Sequence, residues 1–254
     1  MLIIDGNNLL HRLAIDRVGY GVHPVRQLYN RLCSPADTTV VVWDGPSANK
    51  RRKDLFKGYK ANRRPKEESK YQFFDIAKGV LRFTPCIQVE IPGWEADDVI
   101  GTLINRYHES HNITVETNDG DYWQHKDKCH LPLISKKWHS FTAEDCVLYK
   151  TLVGDAKDGI PGLKGFGEKS WLMMPRVAKD RLLEAIRSRD YELFVTIEGW
   201  PSRVKIGENS FQEILLYWEL NSCWSVPTDE IDSCLKPGKS NLMAAEIFME
   251  KFLI

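Results

Sequence analysis

Seven carboxylates from four separated stretches of this chain stand where a single metal-dependent site would need them. They are Asp5 in LIIDGNN, Asp44 in VVVWDGP, Glu95, Asp97 and Asp98 in GWEADDVIG, and Asp119 and Asp121 in ETNDGDYW. Carboxylates brought close repel one another, so a shared site leaves them protonated or neutralised by cations. The set is all oxygen, with neither thiolate nor imidazole, which suits Mg²⁺ or Mn²⁺. Taken singly, each acid has an ordinary explanation. Asp5-Gly6-Asn7-Asn8 and Asp119-Gly120-Asp121 read as turns, and Glu95, Asp97 and Asp98 as the acidic first turn of a helix. Three acids within four residues exceed what a helix start requires, and the joint arrangement favours a metal site.

The elements that must position them follow from the flanking residues. Asp5, Asp44 and Asp119 each follow a short apolar, β-branched run: Leu2-Ile3-Ile4, Val40-Val41-Val42-Trp43 and Ile113-Thr114-Val115. Such runs are buried parallel strands, and an open α/β sheet keeps its functional crevice beyond the carboxyl ends of its strands. Further strands are expected around Ile87–Ile91 and His130–Ile134. Helices are expected over Val25–Leu32, near Ser69–Arg82, over Glu95–Tyr107 with one apolar face, and at Val177–Ser188, Phe211–Asn221 and Asn241–Phe252. Thr142 with Asp145 three residues on is a variant capping box. The reading is an α/β fold: a mainly parallel twisted sheet flanked by helices over 1–140, followed by a helical region over 141–254.

Composition narrows the partners. The chain has 254 residues, 43% hydrophobic and 28% charged, and a net charge of +0, all ordinary for a soluble globular protein. No apolar stretch reaches the roughly 18 residues of a membrane span, and no signal peptide precedes the first strand. Six scattered cysteines without a CxxC pair suggest a reduced, cytoplasmic chain. His125, Cys129 and His130 fit no common zinc spacing and lack an evident fourth ligand. The neutral average hides a basic segment. From Lys50 to Lys66 (KRRKDLFKGYKANRRPK) there are nine Lys or Arg and one acid, a net +8. Phe56 and Tyr59 are interleaved with these cations, a pattern suited to a single-stranded backbone with stackable bases. A basic strip that grips and an acidic pocket that cuts suit a phosphodiester substrate.

A second constellation lies in GDAKDGIPGLKGFGEKS. Gly167-Glu168-Lys169-Ser170 breaks the Walker A pattern, so nucleotide hydrolysis is not indicated. Gly162, Gly165 and Gly167, alternating with Lys164, Phe166 and Lys169 and followed by Ser170, form instead a glycine hairpin between helices. Its backbone amides and lysines can hold a DNA phosphate without reading sequence.

With these residues in view, the chain resembles the 5′ nuclease / flap endonuclease family, close to bacteriophage 5′–3′ exonucleases and the 5′ nuclease domain of bacterial DNA polymerase I. The segments IDGNNLLHR, VVWDG, YKANR, GWEADDVIG, TNDGDYW and LVGDAKDGIPGLKGFGEKS carry the resemblance, in order, over roughly residues 1–175. It implies a PIN-like sheet, a basic helical arch over about 46–72, and a helix–three-turn–helix DNA-binding subdomain over 154–170. It further implies two metal sites, the first drawing on Asp5, Asp44, Glu95, Asp97 and Asp98. The second would draw on Asp119 and Asp121, with Asp155 and Asp158 as more distant partners. Lys60 and Arg63 would be the catalytic basic pair and Tyr59 a stacking platform, with Arg51, Arg52 and Lys53 on the strand. A K⁺ ion among the hairpin carbonyls is a further implication. The implied partner is DNA with a free 5′ end, flap or nick, or an RNA–DNA hybrid, bound by a monomer in the cytoplasm.

Two other readings share part of the pattern. A PIN-type ribonuclease has the acidic sheet edge, but the glycine hairpin and the +8 segment count against it. A junction-binding protein that has lost catalysis would not need intact acids in every motif.

Overall fold

The computed structural model describes residues 1–20, 22–63 and 68–254, and their side chains except those of 16–20 and 68–71. The chain runs β1 (Leu2–Asp5), α1 (Gly6–Tyr20), α2 (Pro24–Leu32), β2 (Thr39–Trp43), α3 (Lys50–Leu55), α4 (Glu68–Leu81), β3 (Ile87–Glu90), α5 (Ala96–Tyr107) and β4 (Thr114–Glu116). Helices α6 (Ala143–Val153), α7 (Glu168–Met173), α8 (Arg176–Ser188), α9 (Tyr191–Val195), α10 (Glu208–Asn221) and α11 (Thr228–Cys234) follow, then β5 (Lys236–Pro237) and α12 (Leu242–Glu250).

The sheet order is β4-β1-β2-β3-β5, parallel throughout except for β5. Strand β2 is buried along its whole length, which is why its sequence is continuously apolar rather than alternating. Parallel neighbours need crossovers, and α1–α2 and α4 supply those leading to β2 and β3. Ile4, Leu9, Val25, Leu28, Val41, Trp43, Phe74 and Leu81 form the core between sheet and helices. Trp43 meets Phe74 edge-on at 6.2 Å and donates its indole N–H to Gln88 at 3.1 Å, so its one polar atom is satisfied. The order reverses at β1, and Asp5 ends that strand where such sheets open their crevice.

The chain forms two compact units: Met1–Asn49 with Pro65–Lys137 and Trp224–Ile254, and Lys50–Arg64 with Trp138–Cys223. This differs from the expected division near residue 140 in two respects. The last thirty or so residues return to the sheet unit, where β5 pairs antiparallel on β3 and α12 packs on α4. The basic segment from Lys50 belongs with the helical unit, because Tyr59 is buried there with Ile160, Tyr217 and Leu220. Of the expected arch, residues 64–67 lie outside the described residues.

The expected strand at His130–Ile134 is a single parallel bridge, Thr114 to His130. Leu131 and Ile134 are buried without a strand around them, so apolar residues there mark burial, not pairing. The Asp5-Gly6-Asn7-Asn8 segment is not a turn: α1 begins at Gly6 directly after the strand. A Cβ at Gly6 would come within 2.7 Å of the Trp43 ring, so only glycine lets α1 start that close to β2. The Thr142–Asp145 capping box is present in both directions at α6. In the helical unit α6 packs on α10. Trp171 is buried at 4% exposure in an aromatic cluster with Phe141 and Tyr149. Among the described residues no helix is long and apolar enough to cross a membrane.

Candidate active site

Asp5 is the centre of the acidic edge. It is 9% exposed, and its Oδ1 accepts the Asn8 backbone N–H at 2.9 Å. Its Oδ2 accepts from the Thr117 and Tyr122 hydroxyls at 3.4 Å each. Burial pushes the Asp5 carboxyl up to about 7; the Asn8 N–H opposes this, and the charges of Asp44, Asp119 and Asp97 add to it. One carboxylate thus feels acids delivered by β2, by α5 and by the segment after β4. Sequence order kept these stretches far apart, and the sheet brings them to one edge.

Asp44, just past β2, is held on both oxygens. Asn7 Nδ2 donates to Oδ2 at 2.8 Å, and the Ala96 N–H at the start of α5 donates to Oδ1 at 2.9 Å. The carboxylates of Glu95, Asp97 and Asp98 offer oxygens within 4.8 Å of one another. Glu95 is the N-cap of α5 but makes no side-chain capping hydrogen bond, so capping does not explain its 5% exposure. Asp98 has a structural duty as well, since its Oδ1 accepts the Trp224 N–H at 2.7 Å. Asp119 caps the short 3-10 turn Gly120–His125 by accepting the Asp121 N–H at 3.2 Å, so the ordinary turn reading holds for it alongside the metal one. Several acids buried together, with the Asp5 carboxyl pushed up to about 7, make a donor set that fits hard divalent cations.

Asp155 and Asp158 belong to the helical unit. Burial opposes ionisation of Asp155, but the Lys150 ammonium at 2.8 Å and the Lys157 and Asp158 N–H groups hold its carboxyl below the ordinary range. Asp158 accepts from Arg63 at 2.6 Å and from the Tyr59 hydroxyl at 3.2 Å, with the Lys60 ammonium at 3.6 Å. Lys60 takes a left-handed backbone, φ 52°, its N–H donating to the Asp158 carbonyl at 2.7 Å.

Two expectations for the basic segment are corrected. Tyr59 is 1% exposed, packed in the core of its unit, and offers no face to a base. Arg52 is 3% exposed and donates to the Leu220 and Ser222 carbonyls, so it ties α3 to the end of α10 instead of meeting a phosphate. Alternation of charge and aromatic groups does not reveal which cation a helix turns inward. Arg51 stays exposed and Lys53 half-buried.

The glycine hairpin follows α6. Gly162 and Gly165 have φ of 71° and 85°, and a Cβ at Gly162 would meet the Val153 carbonyl oxygen at 2.7 Å. Gly167 is extended with open space around it, so conformation does not demand glycine there. Lys164 and Lys169 are exposed, whereas Ser170 is buried and receives the Gly167 N–H. Arg203 donates to the Gly165 carbonyl at 2.6 Å, placing a cation on a hairpin carbonyl, the kind of oxygen where the resemblance implies K⁺.

Sequence reasoning passed over the polar groups that orient the acids: Asn7, Asn8, Thr117 and Tyr122. In the sequence Asn7-Asn8 reads as a pair of turn formers, and no signal marks Thr117 or Tyr122 beyond proximity to the acidic motif.

A mainly parallel sheet with acids at the ends of β1 and β2, after β4 and at the start of α5 defines the PIN-like 5′ nuclease fold. The chain belongs to the 5′–3′ exonuclease family, whose N-terminal resolvase-like domain matches residues 1–150. It is 32% identical over 216 residues to a 5′–3′ exonuclease of Bacillus subtilis, covering 72% of this chain and 73% of that protein. It is 30% identical over 194 residues to the thermostable DNA polymerase I of Thermus thermophilus, covering 67% of this chain and 23% of the polymerase. The chain therefore spans about a quarter of the length of the polymerases it matches. The fold is similar to T5 5′-exonuclease with bound zinc, with TM-score 0.57 and 20% identity over 100% of this chain and 98% of that one.

Proposed function

We propose that the protein is a structure-specific, divalent-metal-dependent 5′ nuclease that hydrolyses phosphodiesters in DNA bearing a free 5′ end, flap or nick. The observation that carries the reading is the acidic group at the start of α5, where Glu95, Asp97 and Asp98 offer oxygens within 4.8 Å of one another and the Ala96 N–H holds Asp44 beside them. Asp5, Asp44, Glu95, Asp97 and Asp98 would hold one cation, Mg²⁺ or Mn²⁺, and Asp119 and Asp121 a second. Cations bound there supply Lewis-acid activation of water and stabilise the departing oxygen.

The remaining steps belong to the chain's own side chains. Lys60 and Arg63 would neutralise charge developing on the scissile phosphate, once Asp158 yields them to it. The exposed Lys164 and Lys169 with the hairpin backbone would grip duplex through its phosphates, giving position without sequence preference. Arg51 and Lys53 would add contacts to the single strand. Selectivity is then for structure, because the terminal nucleotides must leave the duplex before their phosphate meets the acids.

Labelled 5′-flap, nicked and blunt DNA duplexes and a matched single-stranded RNA, digested in Mg²⁺ and in EDTA, test this reading. Short 5′ products from the flap and nick, in Mg²⁺ only, are expected. Preferential cleavage of the RNA would support the ribonuclease reading, and tight flap binding without cleavage the inactive junction binder.

A further inference from the structure

We infer that Glu116 is a positioning residue for the metal-binding acids, acting through Arg12 and the Asn8–Asn118 pair. The inference rests on the metal-dependent reading given above and assigns a role to a side chain outside the acidic motifs. Glu116 ends β4 and is 5% exposed. A carboxylate that deep is costly unless its charge is paired. Here it is paired twice: Arg12 Nη2 donates to Oε1 at 2.7 Å, and Arg31 Nη2 donates to Oε2 at 2.7 Å. Arg12 comes from α1 and Arg31 from α2, so one carboxylate ties both crossover helices to the strand beside β1.

The bond that matters for the acids is made at the other end of Arg12. Its Nε donates to Asn8 Oδ1 at 3.1 Å, which fixes which way the Asn8 amide faces. Asn8 Nδ2 then donates to Asn118 Oδ1 at 2.7 Å, and Asn8 Oδ1 receives the Asn118 N–H at 3.4 Å. The Asn8 N–H donates to Asp5. Asn118 immediately precedes Asp119, whose own N–H donates to Thr117 Oγ1. The chain Glu116–Arg12–Asn8–Asn118 therefore fastens the start of α1, carrying the donor to Asp5, to the loop that delivers Asp119. It sets the separation of two acids from different strands. A simple stability role would need the ion pairs alone; the asparagine bridge to both acid-bearing segments is what assigns positioning.

Isothermal titration of Mn²⁺ into DNA-free protein, for wild type, Glu116→Gln and Arg31→Ala, tests it, with thermal melting of each in EDTA. Glu116→Gln keeps the shape but removes the charge that holds Arg12. We expect Mn²⁺ affinity to fall toward the roughly tenfold loss that follows removal of a direct partner of a metal ligand, because Glu116 acts on such a partner, Asn8, through Arg12. Arg31→Ala, which leaves the Arg12–Asn8 arm intact, should lose melting temperature with little change in Mn²⁺ affinity. Unchanged Mn²⁺ affinity in Glu116→Gln, or an equal loss in Arg31→Ala, would overturn the positioning role. No Mn²⁺ binding by wild type would instead overturn the metal-dependent reading on which it rests.

Discussion

Arg63 donates to Asp158 at 2.6 Å while the same carboxylate faces Lys60, so one acid holds both members of the basic pair expected to meet the substrate phosphate. One of their two positive charges is thus offset by Asp158 within their own unit. On the proposed function a phosphate would have to compete with Asp158 for them, so Asp158 is expected to weaken non-specific binding.

Asp158→Asn should therefore strengthen binding of single-stranded DNA in EDTA, where metal plays no part. The slope of log affinity against log salt should steepen by about one unit, as each further phosphate contact releases counterion. Fluorescence anisotropy across a salt series reads this. A slope equal to that of wild type would show that Lys60 and Arg63 do not engage the strand.

Lys60 holds a left-handed backbone that a side chain with a Cβ adopts at a cost of about 1–2 kcal/mol. Lys60→Gly and Lys60→Ala both remove the ammonium beside Asp158, so they should be equally deficient in single-turnover cleavage. They should differ in stability, with the glycine variant the more stable by about 1 kcal/mol. Equal urea midpoints would mean the backbone relaxes out of the left-handed region.

Arg52→Ala should behave as a folding mutation. Its guanidinium donates to two backbone carbonyls at the end of α10, and losing bonds to a buried charged donor costs about 1.5–3 kcal/mol each. Arg51→Ala, at an exposed position, should leave stability unchanged and weaken single-strand binding. A normal melting temperature for Arg52→Ala would contradict the buried anchor.

Much of the acidic edge was legible because buried parallel strands write themselves as short apolar, β-branched runs. Those before Asp5 and Asp44 lead directly into the acid, and the one before Asp119 stops three residues short of it. The helix at 96–107 was legible from its single apolar face. The fate of the C-terminal segment was not: β5 is two residues, one of them proline, and carries no strand pattern. Nor was the division of labour inside the basic run, where Arg52 and Tyr59 turn inward and Arg51 outward. That choice is made by α10 and the hairpin, more than a hundred residues later in the chain. Nothing in the sequence marks Glu116, since only the approach of Arg12 and Arg31 from two helices gives it a role.

Metal-free stability should depend on pH through Asp5. Its carboxyl, pushed from 3.8 up to about 7, binds a proton more tightly folded than unfolded. Its contribution to stability is full below the unfolded value and is lost as pH rises toward the folded one. In EDTA the melting temperature of wild type should thus fall relative to Asp5→Asn between about pH 4 and pH 7, then run parallel. Added Mg²⁺ should raise wild-type melting more at about pH 8 than at pH 5, because the ion needs the deprotonated acid. Parallel curves for wild type and Asp5→Asn across the whole range would remove Asp5 from the strained cluster.

The most direct test separates cutting from gripping. In wild type and Asp97→Asn, single-turnover cleavage of a 5′-flap duplex in Mg²⁺ is measured beside binding of the same duplex in Ca²⁺. Asp97 sits in the acidic group of α5 and contributes to the charge felt by Asp5, while the hairpin lysines lie in the other unit. The account predicts that Asp97→Asn loses cleavage by about a hundredfold or more, on the scale of removing one electrostatic partner of a transition state, with flap affinity within about twofold of wild type. Cleavage at the wild-type rate in Asp97→Asn would contradict the assignment of the acidic edge as the catalytic metal centre.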